Sequence, residues 1–180
     1  REDDNFLLIA GERRYRAVKS NNENSKIAAI IVGENVDVKQ IQLIENLQRQ
    51  DLNPLERAKS IKEYIEEKNL TKKAAAKKLG VARTTLTEWL NILEVKEEYQ
   101  LKVLDEDCAL TLSHITLAKG LANRTGDPSK LYGILDGVIK YNFSRRETRD
   151  IVDLYYKYLH MSMDEAIDTI LIKRERKKYQ

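Results

Sequence analysis

Several protein classes are set aside by what this chain has little of. A single cysteine, Cys108, excludes an internal disulfide and fits a reducing compartment. Two prolines and 7 glycines among 180 residues leave little room for a long linker. No apolar run approaches the roughly 18 residues that cross a bilayer, and no signal-peptide pattern opens the chain, so the expectation is a cytoplasmic protein with no membrane partner. One sign of charge does not dominate either. The 32 basic residues are nearly matched by 29 acidic ones, and a net charge of +3 does not by itself announce a polyanionic partner. The chain opens on Arg1 rather than Met and enters at once a charged turn and an apolar run, as expected of a fragment whose true N-terminus is missing.

What is present is a 42% hydrophobic chain, enough for one or two compact domains and against disorder. Residues Asn5 to Ala10 (NFLLIA) and Lys26 to Val32 (KIAAIIV) predict short buried strands. Between them Gly11 opens a charged helix from Glu12 to Ser20. Asp37 can cap a further helix with Ile41, Ile44 and Leu47 on one face, so the first portion reads as α/β. From Pro54 onward the strand signals vanish and helical periods take over. Asn53-Pro54-Leu55-Glu56 combines an Asn N-cap, a proline at the first helical position and a Glu placed to complete a capping box. Asp127-Pro128, Ser144 to Glu147 and Ser162 to Glu165 mark further starts near 128, 145 and 163, the last two as full capping boxes.

Charge distribution says more than its sum. Between Thr71 and Leu93 stand Lys72, Lys73, Lys77, Lys78 and Arg83 against Glu88 alone, and this segment has a helix-turn-helix register. Ala76 lets two helices approach, Gly80 tolerates a left-handed turn, and Leu79, Val81, Leu86 and Trp89 fill the space between them. Arg83, Thr84, Thr87 and Glu88 then face outward at the start of the second helix, where such helices meet base edges. The lysines suit phosphate contact, which adds affinity without sequence preference. The alternative is a helical hairpin with a solvated lysine face.

A second constellation lies nearer the N-terminus. Gly11-Glu12-Arg13-Arg14 joins a helix start to two guanidinium groups, a combination that attracts phosphate, although the same four residues also suit a solvated turn. Glu45 and Asn46 offer hard oxygens of the kind Mg²⁺ takes together with phosphate and water, and Arg49 follows three residues later.

Taken together, GERRYRA at 11 to 17, ENLQRQDLNPLERA at 45 to 58 and the helix-turn-helix resemble the ParB family of chromosome and plasmid partition proteins. Weaker echoes at Ser113-His114 and Ser144 to Thr148 extend the resemblance over about residues 5 to 155. The resemblance implies an α+β chain. Residues 1–53 would be a ParB/sulfiredoxin-like nucleotide-binding domain lacking its N-terminal part, 54–125 a helix-turn-helix DNA-binding domain, and 126–180 a C-terminal helical segment. It implies binding of CTP and Mg²⁺, slow hydrolysis of CTP, recognition of a palindromic centromere site (parS) in double-stranded DNA, and a homodimer that closes as a clamp on DNA. A ParA-type ATPase is the implied further partner, through a missing N-terminal region, and the implied location is the nucleoid.

Carried over by position, Gly11, Glu12, Arg13, Arg14, Gln48 and Arg49 would contact the triphosphate, and Glu45 and Asn46 would hold the metal. Lys72, Lys73, Lys77, Arg83, Thr84, Thr87 and Glu88 would meet DNA. Glu88 and Asn91 depart from the Asn and Arg that family members often carry there. Two other readings stay open: a nucleoid-occlusion or transcriptional regulator on the same scaffold, and an autonomous nucleotide-dependent enzyme. Against the enzyme, no cysteine falls within residues 1 to 60. Cys108, His114 and His160 lack the neighbours of a nucleophile or metal site and suit packing or capping. Tyr155, Tyr156 and Tyr158 suit core or interface, and the basic run from Lys173 to Lys178 suits a solvated helix end.

Overall fold

A computed structural model of the chain describes residues 6–21, 26–33, 36–48, 52–158 and 160–178. The described residues form ten α-helices: α1 (Glu12–Asn21), α2 (Val38–Leu47), α3 (Pro54–Glu67), α4 (Lys72–Leu79), α5 (Arg83–Asn91), α6 (Glu97–Leu104), α7 (Leu112–Thr125), α8 (Ser129–Tyr141), α9 (Arg145–Lys157) and α10 (Met163–Lys178). A 3₁₀ turn, Ile92–Glu94, follows α5 directly.

The local signals explain most of these boundaries. The Asn53 side chain accepts the Leu55 N–H at 2.8 Å, with Pro54 opening α3. The expected reciprocal bond from Glu56 is not formed among the described residues. Both C-terminal capping boxes close: Ser144 N–H donates to Glu147 Oε2 and Ser162 N–H to Glu165 Oε2, each at 2.8 Å. Asp37 caps α2 by accepting the Gln40 N–H at 3.2 Å. Ser129 at the start of α8 donates its N–H to Asp127 Oδ1 at 2.9 Å.

The α/β expectation for the first portion is corrected. Residues 6–10 and 26–33 carry no strand, and Asn5 lies outside the described residues. Apolar composition identified both runs, but a strand exists only where its N–H and C=O groups find a second strand. Among the described residues neither run forms a ladder. Nearly all their side chains are exposed instead of buried, Ile30 at 93% and Ile31 at 71%, with Ile9 half-buried.

Two cores organise the helices. Leu43, Ile61, Tyr64, Ala75, Ala76, Leu79, Leu86 and Leu90 form the smaller, between α2, α3, α4 and α5. The larger runs from Ala58, Ile92 and Val95 through Leu121, Ile134 and Phe143 to Ile151 and Ile170, and continues across position 125. Helix α3 contributes to both, and Leu93 packs against both. Helix α10 lies close on α8 because Gly133 and Gly137 leave it room: a Cβ on Gly137 would stand 3.1 Å from Ile167 Cδ1, and one on Gly133 would stand 3.2 Å from Met163 Cγ.

Candidate nucleic-acid interface and nucleotide pocket

Helices α4 and α5 form the hairpin that the spacing predicts. The Thr71 hydroxyl caps α4 by accepting the Ala74 N–H at 3.2 Å. At its other end Gly80 adopts φ +68°, with Val81 N–H bonded to Ala76 O at 3.0 Å and Gly80 N–H to Lys77 O at 3.3 Å. That is a Schellman motif, and its left-handed residue is where glycine avoids a Cβ clash. Ala75, Ala76, Leu79, Leu86 and Leu90 are buried, which fixes the angle between the two helices through small residues at the crossing.

The exposed face is set by what the core does not take. Lys72, Lys73, Lys77, Lys78, Arg83 and Thr84 are exposed, while Thr87 and Glu88 are half-buried. Thr87 Oγ1 donates to Arg83 O at 2.8 Å, so its hydroxyl is engaged with its own helix. Ala82 precedes α5 and supplies no side-chain cap, which leaves the first N–H groups of this helix for an outside acceptor such as phosphate. The guanidinium of Arg57 on α3 lies 5.1 Å from the Trp89 ring centroid and braces the back of the helix by cation–π contact. Asn91, which departs from the residue family members often carry there, is buried, and its Nδ2 donates to Thr116 Oγ1 at 3.0 Å.

The phosphate-type and metal-type residues also come together. Gly11, Glu12, Arg13 and Arg14 at the start of α1 share a cavity of about 440 Å³ with Gln42, Glu45 and Asn46 on α2. That size suits a small-molecule ligand. Gly11, at φ +87°, donates its N–H to Glu45 Oε1 at 3.1 Å across 34 positions of sequence. Gln48 caps the C-terminal end of α2 through its backbone N–H, and Arg49 lies outside the described residues. No group of three or more His, Cys, Asp or Glu side chains forms a self-sufficient metal cage among the described residues.

Sequence reasoning missed how the pocket is tied to the hairpin. Gln40 on α2 donates its side-chain amide to Lys78 O at the end of α4, at 2.8 Å. Asp37, the cap of α2, accepts the Tyr64 hydroxyl at 3.3 Å and lies 3.4 Å from Lys68 Nζ, both from the C-terminal end of α3. Lys39 pairs with Glu67 on the same side. These partners are 27 to 38 residues apart, and no local pattern announces them.

Of the residues set aside, His114, Cys108 and Tyr155 pack, whereas Tyr156, Tyr158 and His160 are exposed. His114 is buried, its Nδ1 accepting the Thr111 N–H at 3.1 Å, and burial holds the ring below its ordinary pKa. Among the described residues its Nε2 completes no hydrogen bond, although the Ser144 backbone lies nearby. Cys108 is half-buried and Tyr155 is core. In the basic C-terminal run, Lys173 pairs with Asp150 at 2.7 Å, and Arg174 pairs with Glu147 at 2.7 Å while donating to Tyr141 O at 2.8 Å. Lys173 and Arg174 of that run therefore help dock α10.

The family model for the ParB HTH domain matches residues 50–156, more than half of the chain. This chain belongs to the ParB family. It is 34% identical over 150 residues to the probable chromosome-partitioning protein ParB of Helicobacter pylori, which covers 83% of this chain and 49% of that protein. It is 35% identical over 152 residues to the nucleoid occlusion protein of Geobacillus sp. strain WCH70, covering 84% of this chain and 52% of that one. The chain thus spans about half the length of the curated relatives it matches. Among solved structures it is similar to the C-terminally truncated chromosome-partitioning protein ParB from Caulobacter crescentus complexed to the centromeric parS site. The TM-score is 0.62 at 32% identity, covering 84% of this chain and 74% of that one. For a ParB-family chain, no helix among the described residues is long and apolar enough to cross a membrane.

Proposed function

We propose that this ParB-family chain binds a palindromic, parS-type site in double-stranded DNA through α4 and α5, and that Mg²⁺-CTP at the α1–α2 pocket switches it, as a homodimer, to a clamp on DNA. The carrying observation is the hairpin itself: a buried, small-residue helix crossing that leaves four lysines, Arg83 and an uncapped recognition-helix start exposed. Its similarity to a ParB solved with the parS site supports the same reading.

On that face the roles divide by chemistry. Arg83 can grip guanine O6 and N7 with two parallel bonds, and Glu88 can accept from cytosine N4, each good pair discriminating by about 1–3 kcal/mol. Lys73 and Lys77 would meet phosphates and add affinity to any sequence. Arg83→Ala is expected to lose binding to the palindromic duplex and leave binding to a scrambled one nearly intact. Lys77→Ala is expected to weaken both alike and flatten the salt dependence by a slope of about one. Equal loss on both duplexes for Arg83→Ala, measured by anisotropy, would remove it as a base reader.

The pocket residues fit an Mg-triphosphate. The Gly11 N–H already takes an anionic oxygen, from Glu45, in the position where a phosphate oxygen would be accepted. Arg13 and Arg14 supply cations to the same cavity, and Glu45 and Asn46 supply the hard oxygens that Mg²⁺ takes beside phosphate and water. Bound there, the nucleotide would supply charge that draws Arg13 and Arg14 inward and frees Glu45 from Gly11 for the metal. Because α2 is tied to α4 by Gln40 and to α3 by Asp37, a shift of α2 would reach the hairpin through these bonds. Titrating CTP, ATP and GTP into the chain and its Arg14→Ala variant tests this part. CTP is expected to bind tightest, and Arg14→Ala to weaken it roughly 10- to 100-fold, the worth of a charged hydrogen bond. Equal weak binding of all three nucleotides to both proteins would defeat it.

Similarity to a partition protein and to a nucleoid occlusion protein is nearly the same, which keeps a nucleoid-occlusion role as the second reading. Genome-wide recovery of bound DNA separates them: sites clustered at one locus support partition, and sites scattered along the chromosome support occlusion.

A further inference from the structure

Glu94, in the 3₁₀ turn directly after the recognition helix, is the meeting point of two lysines from different parts of the fold. Its Oε2 accepts from Lys119 Nζ on α7. Its Oε1 lies 3.7 Å from Nζ of Lys72, the first residue of α4. The two lysines are not equivalent. The Lys119 side chain is 13% exposed and is held twice, by Glu94 and by Asn91 Oδ1 at 3.0 Å, with Asn91 itself buried and bonded to Thr116. The Lys72 side chain is 48% exposed and belongs to the basic face of the hairpin. Lys119 therefore fixes the carboxylate in place, and the remaining oxygen is presented to a lysine that is otherwise placed for DNA phosphate.

We propose that Glu94 is an intramolecular counter-ion that competes with DNA phosphate for Lys72 and so limits sequence-independent affinity for DNA. The inference rests on the DNA-binding reading above. A lysine that neutralises a phosphate releases a condensed counterion, and each such contact steepens the dependence of log K on log salt by about 0.9. A lysine already paired with a carboxylate contributes less of that release. The pair is half exposed and adds little to stability, so its effect is expected in binding rather than in folding.

The test uses a scrambled duplex and measures anisotropy across a salt series. Glu94→Gln keeps an acceptor for Lys119 and removes the charge. Its slope is expected to steepen by about one, with affinity up to about eightfold higher at ~0.1 M salt from counterion release alone. In a Lys72→Met background the same change is expected to leave slope and affinity where they were. Should Glu94→Gln melt early, Glu94→Asp keeps the charge for Lys119 while withdrawing it from Lys72, and is expected to move the slope the same way by less. An unchanged slope in the folded variant overturns the proposal. So does a shift that persists without Lys72, because Glu94 would then act by general repulsion. A wild-type chain that binds neither the palindromic nor the scrambled duplex overturns the DNA reading itself, and the proposal with it.

Discussion

Helix α1 buries none of its residues, whereas α9, three residues longer, buries Thr148, Ile151, Val152 and Tyr155. The same contrast runs through the segments around them. Phe6, Leu7, Ile30 and Ile31 are exposed, while Phe143, Ile134 and Leu135 are sealed. The region with the phosphate-type and metal-type residues thus stands on few buried contacts, and the region with the DNA-type face stands on two joined cores. Elements of low local stability are the ones that a ligand can reposition, because little packing has to be broken. A rigid hairpin, by contrast, suits a face whose base contacts must hold register.

The largest expected effect tests whether that contrast is energetic as well as geometric. Phe143 is fully buried, 5.5 Å from the Tyr141 ring and covered by the Arg174 guanidinium at 5.0 Å. Phe143→Ala is expected to lower unfolding free energy by about 3–5 kcal/mol, through lost transfer energy and the cavity left behind. Ile30→Ala removes apolar atoms from a side chain that is 93% exposed, and is expected to change it by less than ~0.5 kcal/mol. Urea unfolding of both variants gives the answer. Comparable losses would mean that the first region shares the cooperative unit of the second.

A smaller effect separates the regions by pH. Glu147 accepts from Arg174 and from the Ser144 N–H, and these contacts, Arg174 foremost, overcome partial burial to bring its pKa from 4.5 down to about 2. A carboxyl depressed in the folded state contributes stability that is complete above its unfolded value and is lost as pH falls through the folded one. The body should therefore weaken between about pH 4.5 and 2. In Glu147→Gln this part of the acid slope is expected to be absent, with up to about 3 kcal/mol of stability missing at neutral pH. A parallel acid limb in wild type and variant would show that Arg174 does not hold Glu147 in solution.

How much of this was legible in the sequence follows the same division. Caps are local chemistry, so Asn53, Ser144 and Ser162 placed helix starts correctly. The Ala76–Gly80–Val81 register placed the hairpin because its turn needs a left-handed residue four positions after a small one. The first portion misled because an apolar run shows that a segment wants burial, not which partner supplies it. NFLLIA and KIAAIIV have strand composition and no strand among the described residues. At the sites, Gly11 and Glu45 were paired by chemistry before they met at 3.1 Å. Asn91, at the end of α5, is turned inward by Thr116 and Lys119, contacts 25 and 28 residues away that no periodicity encodes.

The smallest expected effect on folding belongs to Gly11, and it sharpens the contrast most. At φ +87° an added Cβ would meet only the Arg14 guanidinium, 3.7 Å away, so the cost of Gly11→Ala is backbone strain rather than collision. That strain is about 1–2 kcal/mol for an L-residue held left-handed. In the helical body it would appear as a lower melting midpoint. Helix α1 buries nothing, so the segment can relax locally and the midpoint is expected to stay unchanged. The strain would then appear where the geometry is required, at the N–H facing Glu45, as a roughly 5- to 30-fold loss of CTP affinity. Calorimetric melting and nucleotide titration of the one variant measure both. A depressed midpoint with unchanged nucleotide binding would invert the assignment, making residues 11–21 part of the folded core and the pocket incidental.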